Sequence, residues 1–295
     1  VTGRDDVVVC GYHGWHDWYI GSTPRNLGVP KSTQKMTHKF NYNDIESLKK
    51  VFKANKGKIA AVIMEPMNYI EPAKGFLAAV KKLAHQNGAL LIFDEVITGF
   101  RYSLGGAQKL FNVIPDLATF GKAMANGLPI AALVGRKKYM KTISDIFYSS
   151  TFGGECLSLA AAIATIKEME PKKLIQKIWQ KGRYLQNATN KLIKQNNLSE
   201  IIKIGGKPCW QVFIFSDTHN ATGLEIKSFI QQEVLANGIL WYGQHNISFS
   251  HSQKDLDKLL KVFKEVFPKL RQALDNNKVR QSLRGKPITN IFKIR

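Results

Sequence analysis

The sequence predicts an α/β fold, in which a mostly parallel sheet is sandwiched by helices, with a smaller C-terminal α+β domain. In the first part of the chain, short apolar segments typical of buried strands alternate with segments of helical periodicity. Parallel strands need crossover connections, so this alternation indicates strand–helix–strand units. The second part carries longer amphipathic helices and fewer strand-like segments.

The predicted strands of the first part are short, continuous and apolar, as expected for strands covered on both faces. They comprise residues 7–10, 59–65, 90–94, 117–120 and 130–134. Residues 75–86 carry apolar side chains at helical spacing, and Gly88 ends that helix. A Gly-rich turn at Gly105 and Gly106 precedes a further short helix. This order of elements predicts the parallel sheet.

The chain divides near Pro171, which opens a helix after the alanine-rich helix predicted over 156–169. We therefore expect a large domain over residues 1–172, a small domain over 173–275 and a basic tail over 276–295. After the helix that Pro171 opens, we predict three strands and two further helices in the small domain. The strands are 210–215, 239–242 and 247–250, and the helices are 225–235 and 253–274. Pro268 predicts a kink or a break in the last helix.

The formal net charge is +21, which is the charge balance of many nucleic-acid-binding proteins. The lysines are dispersed and no nucleic-acid motif accompanies them, so we interpret the charge as solvated helix faces. We expect neither a nucleic-acid nor a membrane partner. The tail over 276–295 contains six basic residues and no acid, and we expect it to lie on the surface or on a partner subunit.

The three cysteines are widely spaced and form no CxxC pair. This argues against a disulfide framework and against a zinc site, and it favours a reducing, cytoplasmic setting without a bound metal. No apolar run approaches the length that crosses a bilayer. The chain starts without Met and runs directly into a strand-like segment, so we expect an N-terminally truncated fragment.

Two strand ends carry the residues with the clearest chemistry. Asp94 ends one apolar strand, and Lys122 follows the next strand, 28 residues later. One strand–helix–strand unit fits that gap, so both side chains are expected at the carboxyl edge of the sheet. A lysine there can bind pyridoxal phosphate covalently, while an acid keeps its pyridine nitrogen protonated. The alternatives are an N-cap role for Asp94 and an ordinary surface lysine.

Two further segments are candidates for ligand contacts. Residues 11–19 form an aromatic turn after the first strand, in which Tyr12 could stack on a planar ring and His13 could orient a ligand. Residues 149–154 place hydroxyls and glycines before a helix, which suits an anion site. The alternatives are a packed loop and a simple helix cap. Neither a GxGxxG nor a P-loop motif occurs, so dinucleotide and P-loop functions lack support.

Taken together, these segments resemble the class III, fold-type I pyridoxal-phosphate aminotransferases. The order and spacing of the matching motifs agree with that family over nearly the whole chain. The block Asp-Glu-Val-Ile-Thr-Gly-Phe-Arg, with Gly-Gly-Ala-Gln after it, looks most like the glutamate-1-semialdehyde aminomutase branch. The matching residues are 11–14, 64–66, 88–101, 105–108, 115–117, 121–122, 127–129 and 150–154.

The resemblance implies a role for each matching position. Lys122 is the catalytic amine that binds pyridoxal 5'-phosphate, and Asp94 pairs with the pyridinium nitrogen. Tyr12, beside His13, stacks on one face of the ring, and Val96 packs on the other face. Thr151 reaches the cofactor phosphate of the neighbouring subunit, so the resemblance also implies a homodimer.

The family's phosphate-binding cup and the segment that closes its substrate pocket are expected before Val1. No arginine occurs in residues 238–252, where many class III enzymes bind a substrate carboxylate. We therefore predict an intermolecular aminotransferase that takes a small-molecule amino donor and a carbonyl acceptor. The alternatives are a glutamate-1-semialdehyde 2,1-aminomutase and a non-catalytic dimeric scaffold or binding module.

Overall fold

The computed structural model describes residues 1–289 and divides into two compact units. The first unit comprises Val1–Lys172, and the second begins at Lys173. The strands of the first unit are β1 (Asp6–Cys10), β2 (Thr37–Lys39), β3 (Ile59–Met64), β4 (Leu90–Asp94), β5 (Leu117–Phe120) and β6 (Ala132–Gly135). Its helices are α1 (Asp17–Ile20), α2 (Lys31–Lys35), α3 (Ile45–Ala54), α4 (Phe76–Gln86), α5 (Gly106–Leu110), α6 (Lys137–Met140) and α7 (Cys156–Met169).

The first unit is built on a six-stranded sheet of order β2-β1-β3-β4-β5-β6. Every neighbouring pair is parallel except β5 and β6, which are antiparallel. The prediction of a mostly parallel sheet is confirmed. Its central strands are lined by fully buried apolar side chains, among them Val8, Val62, Leu91 and Phe93, because both of their faces are covered.

A buried carboxylate fixes the register of β4 and β5 at their amino ends. Asp116 is completely buried, its backbone N–H donates to Leu91 O at 2.8 Å, and its Oδ2 accepts from Leu91 N at 2.9 Å. His85 Nε2 lies 2.7 Å from the same oxygen. With this register, Asp94 lies opposite Thr119 at the other end of the two strands. The clamp at Asp116 therefore sets where Asp94 and the residues after β5 meet.

The second unit contains a three-stranded antiparallel sheet of order β7-β8-β9. Its strands are β7 (Ile202–Lys207), β8 (Trp210–Phe215) and β9 (Gln244–Asn246), and its helices are α8 (Leu174–Gln195), α9 (Gly223–Ala236) and α10 (Gln253–Asp275). Helix α10 begins with a capping box between Ser252 and Asp255 and keeps Pro268 within one helix.

Two predicted strands of the second unit are wrong. Residues 239–242 and 247–250 are not strands, and the pairing with β8 runs through the short segment β9 between them. The apolar residues that suggested strands, such as Trp241 and Ile247, lie in loops, and their side chains are buried in the core. Strand β7 was not predicted, because its lysines and its two glycines, Gly205 and Gly206, hide the apolar pattern.

The described part of the basic tail lies on α9. Arg284 donates from its backbone to Gln232 Oε1 at 2.9 Å and pairs with Glu233 at 2.8 Å. Ile288 N donates to Ser228 Oγ at 2.9 Å. Residues 290–295, at the end of the predicted tail, lie outside the described residues.

A neutral histidine is buried in the second unit. His245 Nδ1 lies 3.0 Å from Gln211 Oε1, and the Gln211 amide donates to the carbonyls of Gly182 and Pro208. Because that amide nitrogen is the donor, Gln211 Oε1 is an acceptor and His245 carries its proton on Nδ1. The rings of Phe213 and Phe263 pack against the imidazole. Burial, with a smaller contribution from His251, lowers the pKa of His245 to about 3.

This burial predicts acid sensitivity. In the unfolded chain His245 takes up a proton below about pH 6.5, whereas the folded protein excludes that proton until about pH 3. Stability therefore falls as the pH drops from 6.5 towards 3, by roughly 2 kcal/mol at pH 5 from this residue alone. The test is the free energy of unfolding in urea at pH 7 and at pH 5. Its fall between the two pH values should be smaller in His245→Asn than in the unmodified protein, by roughly 2 kcal/mol.

The exposed His219 gives the matched control, since His219→Asn should leave the pH dependence unchanged. In a nuclear magnetic resonance titration of the seven histidines, His245 should stay neutral at pH 5. A normal titration of its imidazole near pH 6.5 would contradict the assignment.

Candidate active site

The carboxylate of Asp94 is held from three sides at the carboxyl edge of the sheet. Its Oδ2 lies 2.8 Å from His13 Nδ1, in the turn after β1. Its Oδ1 accepts from Val96 N at 3.2 Å and from Thr119 Oγ1 at 3.4 Å. Strands β1, β4 and β5 thus all contribute to the orientation of one carboxylate, whose side chain remains 16% exposed. The predicted position of Asp94 at this edge is the position that the structure gives it.

Lys122 follows β5 and opens a short 3-10 turn, Lys122–Met124. Its φ of +43° lies in the left-handed region, which a residue other than glycine rarely adopts and which is over-represented at functional sites. The side chain of Lys122 is exposed. A side chain on the preceding Gly121 would meet Val96 Cγ1 at 3.5 Å, so Val96 packs beside the lysine.

Tyr12 and His13 lie in the turn that follows β1. Gly11 begins this turn with a φ of +112°, and its carbonyl accepts from Tyr19 Oη at 2.8 Å. The Tyr19 ring packs edge-on against both residues. Tyr12 is 40% exposed, whereas the His13 side chain is buried against Asp94. Within residues 1–289, His13 Nε2 is buried without a hydrogen bond.

Two buried glutamates beside the site were not recognised in the sequence. Glu65 follows β3, and its Oε2 accepts from Tyr12 N at 3.2 Å and from the Asn68 amide at 3.3 Å. Glu95 follows Asp94, and its carboxylate accepts from Ala107 N at 2.7 Å and Gln108 N at 2.8 Å. Burial raises the pKa of both carboxyl groups above the ordinary range of a glutamate. The sequence feature that could have revealed these two residues is their position next to the ends of apolar strands.

Thr151 does not belong to this cluster in the described chain. It is exposed in a turn over 151–154 and lines a cavity of about 940 Å³ that residues between 129 and 159 largely form. The surrounding segment exposes several large apolar side chains, of which Phe147 is 97% and Phe152 78% exposed. Among the described residues, those that line this cavity do not include Asp94.

The residues at the sheet edge fit pyridoxal phosphate by their chemistry. A carboxylate with fixed orientation suits the protonated ring nitrogen, and an exposed amine just after the adjacent strand suits the aldehyde. Tyr12 offers an exposed aromatic face, and Val96 is packed against Gly121, where no side chain intervenes. Asp94, Lys122, Tyr12 and Val96 are the residues that would hold the cofactor.

A family model for class-III aminotransferases matches residues 9–267. The chain belongs to this family. Its cofactor is pyridoxal 5'-phosphate, in agreement with the donor set at the sheet edge.

Two curated relatives illustrate the range of names in the family. The chain is 35% identical over 282 residues to a 3-aminobutyryl-CoA aminotransferase of Cloacimonas acidaminovorans, covering 92% of this chain and 67% of the relative. It is 33% identical over 296 residues to a glutamate-1-semialdehyde 2,1-aminomutase of Methanosphaera stadtmanae, covering 92% and 70%. The chain thus spans about two thirds of the length of these relatives.

Solved structures have the same fold. The FumI protein of Sphingopyxis sp. MTA144, in its PLP internal aldimine form, superposes with a TM-score of 0.84 at 27% identity, over 93% of this chain and 67% of that chain. A transaminase with PLP bound gives a TM-score of 0.83 at 20% identity, over 92% and 69%, which supports the fold alone.

Residues 1–289 contain neither a membrane-spanning helix nor a cluster of metal ligands. None of their helices combines the length and apolar character required to cross a membrane. No group of three or more His, Cys, Asp or Glu side chains in this part of the chain is arranged to hold a metal ion.

The packing of Glu95 predicts a costly substitution at Gly106. Gly106 has a φ of +75°, and a Cβ atom there would overlap the Glu95 carboxylate. Gly57 has nearly the same φ, +76°, but open space around it. Gly57→Ala should therefore cost about 1 kcal/mol of unfolding free energy for backbone strain alone. Gly106→Ala should cost roughly 2 kcal/mol more, measured by urea denaturation. Equal losses would contradict the close packing at Glu95.

Proposed function

We propose that Lys122 is the amine that carries the cofactor and that Asp94 holds the proton on its ring nitrogen, in transfer of an amino group from a small-molecule donor to a carbonyl acceptor. When bound, pyridoxal phosphate supplies an electron sink that stabilises negative charge at the carbon bearing the amine. The observation that supports this proposal is the convergence of Asp94 and Lys122 on adjacent strand ends. The register of β4 and β5 brings them there.

Asp94 is suited to hold a proton on a ring nitrogen because its own contacts fix its direction. His13 and Val96 N bind different oxygens of the carboxylate, so the group cannot rotate freely. A charged acceptor bound by well-placed donors makes a stronger hydrogen bond than a neutral one. His13 thereby acts as a positioning residue for Asp94.

Lys122 is suited to move a proton between carbon atoms because its amine is accessible and its backbone is anchored. The preceding residue, Gly121, has no side chain and so leaves space beside the lysine. Val96 bounds that space on one side. We place the exposed ring of Tyr12 on the opposite face. These two side chains would hold the cofactor ring between them, and the Lys122 amine would bind its aldehyde carbon.

Removal of the Lys122 amine tests the proposal directly. In Lys122→Ala we expect loss of the visible absorption of lysine-bound pyridoxal phosphate and loss of turnover by several orders of magnitude, because the nucleophile is absent. The exposed Lys74 gives the control, since Lys74→Ala should keep both signals. Retention of the absorption band in Lys122→Ala would refute the assignment, and a wild-type protein without any band would favour a non-catalytic scaffold.

The proposed partner of the chain is a second copy of itself. The segment from 143 to 166 exposes a set of large apolar side chains in the described structure, and such patches typically mark protein interfaces. They are Ile143, Ile146, Phe147, Phe152, Leu157 and Ile163. We propose that this surface pairs in a homodimer and that Thr151, within it, reaches the cofactor phosphate of the other subunit.

Mixed dimers test this role of Thr151. In a dimer of one Lys122→Ala subunit and one Thr151→Val subunit, one site receives both native residues only if Thr151 acts across the interface. We expect such differently tagged, co-purified mixed dimers to recover about half of the wild-type turnover per dimer, because one of two sites is intact. Each variant dimer alone should be impaired. Mixed dimers no more active than Thr151→Val homodimers would contradict the proposal.

The alternative function is that of a glutamate-1-semialdehyde 2,1-aminomutase, in which donor and acceptor are one molecule. It is supported by the names of several relatives at 33% to 35% identity. Half-reactions with glutamate semialdehyde, glutamate and amino sugars separate the two functions, since a mutase converts its single substrate without a second one. We place either activity in the cytoplasm, a proposal supported by the wide spacing of the three cysteines, which form no CxxC pair.

A further inference from the structure

Glu65 and Glu95 occupy equivalent places after two adjacent parallel strands, at the carboxyl edge of the sheet. Glu65 comes directly after β3 and Glu95 directly after β4, and both side chains are buried. Glu65 accepts a hydrogen bond from the backbone N–H of Tyr12 in the turn after β1, and Glu95 accepts from two backbone N–H groups at the start of α5. Each carboxylate is also in close contact with a glycine at positive φ. A buried carboxylate is costly unless such donors satisfy it. The proposed chemistry uses neither group, so their burial needs another explanation.

Glu65 fixes the turn that carries Tyr12. Its Oε2 accepts from Tyr12 N at 3.2 Å, and a Cβ atom on Gly11 would lie 2.5 Å from that oxygen. The turn is thus held both by a hydrogen bond and by contact. Because the tyrosine ring projects from this turn, its position depends on the Glu65 carboxylate.

Glu95 fixes the loop that carries Val96. Its carboxylate accepts from Ala107 N, Gln108 N and the Thr98 hydroxyl, and its backbone N–H donates to Thr119 O at 2.9 Å. The loop is therefore tied to α5 on one side and to β5 on the other. Val96, the next residue, is held in this arrangement beside Gly121.

The two loops meet at Asp94, where each binds a different oxygen of the carboxylate. His13, next to Tyr12, binds Oδ2, and Val96 N binds Oδ1. We propose that Glu65 and Glu95 are positioning residues that set the gap between the Tyr12 ring and the Val96 side chain, and so the slot for the planar pyridine ring. This inference rests on the proposed function, because Tyr12 and Val96 line the slot only if the cofactor lies between them.

The contacts predict different responses to glutamine. Both oxygens of Glu95 accept hydrogen bonds, so the NH2 group of Glu95→Gln would face a donor. Both of these hydrogen bonds to Glu65 use Oε2, so the carbonyl of Glu65→Gln can keep them. Glu65→Ala removes them. We therefore expect Glu95→Gln and Glu65→Ala to widen or distort the slot, and Glu65→Gln to preserve it.

The test measures how tightly the slot binds a pyridine ring that forms no covalent bond with Lys122. Pyridoxine 5'-phosphate lacks the aldehyde, so its dissociation constant, from calorimetry of the purified protein, reports the ring slot independently of Lys122. We expect it to rise roughly tenfold in Glu95→Gln and Glu65→Ala, and to stay within about twofold in Glu65→Gln. The visible circular dichroism of bound pyridoxal phosphate should change in the first two variants. The exposed Glu46 on α3 gives the matched control, Glu46→Gln.

Affinity within about twofold of wild type and unchanged dichroism in Glu95→Gln and Glu65→Ala would overturn the inference, even if both variants melted at lower temperature. Should those variants not fold, Thr98→Val and Asn68→Ala each remove one donor and leave the carboxylate in place. They should weaken binding in the same direction, and wild-type behaviour in both would overturn the inference. If the unmodified protein bound neither pyridoxine 5'-phosphate nor pyridoxal phosphate, both the proposed function and this inference would be refuted. Loss of the absorption band in Lys122→Ala with unaffected glutamate variants would leave the proposed function standing alone.

Discussion

The site depends on the pairing of one carboxylate at the end of a buried strand. Asp94 follows an apolar strand, where an unpaired charge would be strongly destabilising. His13, Val96 N and Thr119 satisfy its oxygens from three strand ends. The contacts that make the charge tolerable are therefore also the contacts that assemble the site. A change at any of these partners alters both the electrostatics of Asp94 and the relative position of the loops.

Buried carboxylates fix the central sheet at both ends. At the amino end, Asp116 exchanges hydrogen bonds with Leu91 and sets the register of β4 and β5. At the carboxyl end, Glu65 and Glu95 bind backbone N–H groups of the loops. Burying a carboxylate costs desolvation energy, which such donors only partly offset. The first unit thus combines a short apolar core with polar anchors where loop geometry matters most.

The sequence predicted the features that depend on local pattern and missed those that depend on distant contacts. The ends of β4 and β5 follow from apolar runs, and the convergence of Asp94 and Lys122 follows from parallel topology. The His13–Asp94 contact joins residues 81 positions apart, so no spacing rule reveals it. In the second unit, apolar residues around β9 are buried from loops, and periodicity cannot distinguish these from strand residues.

The apolar surface near Thr151 links assembly to catalysis in the proposed dimer. Full burial of one large apolar side chain such as Phe147 or Phe152 contributes about 2 kcal/mol, so pairing of several of them is a substantial driving force. Thr151 lies within the same segment and is exposed in the single chain. The association that removes this surface from water would also deliver the hydroxyl to the second site. Failure to dimerise would therefore cause both a loss of stability and the loss of a cofactor contact. Both losses would occur even with Asp94 and Lys122 unchanged.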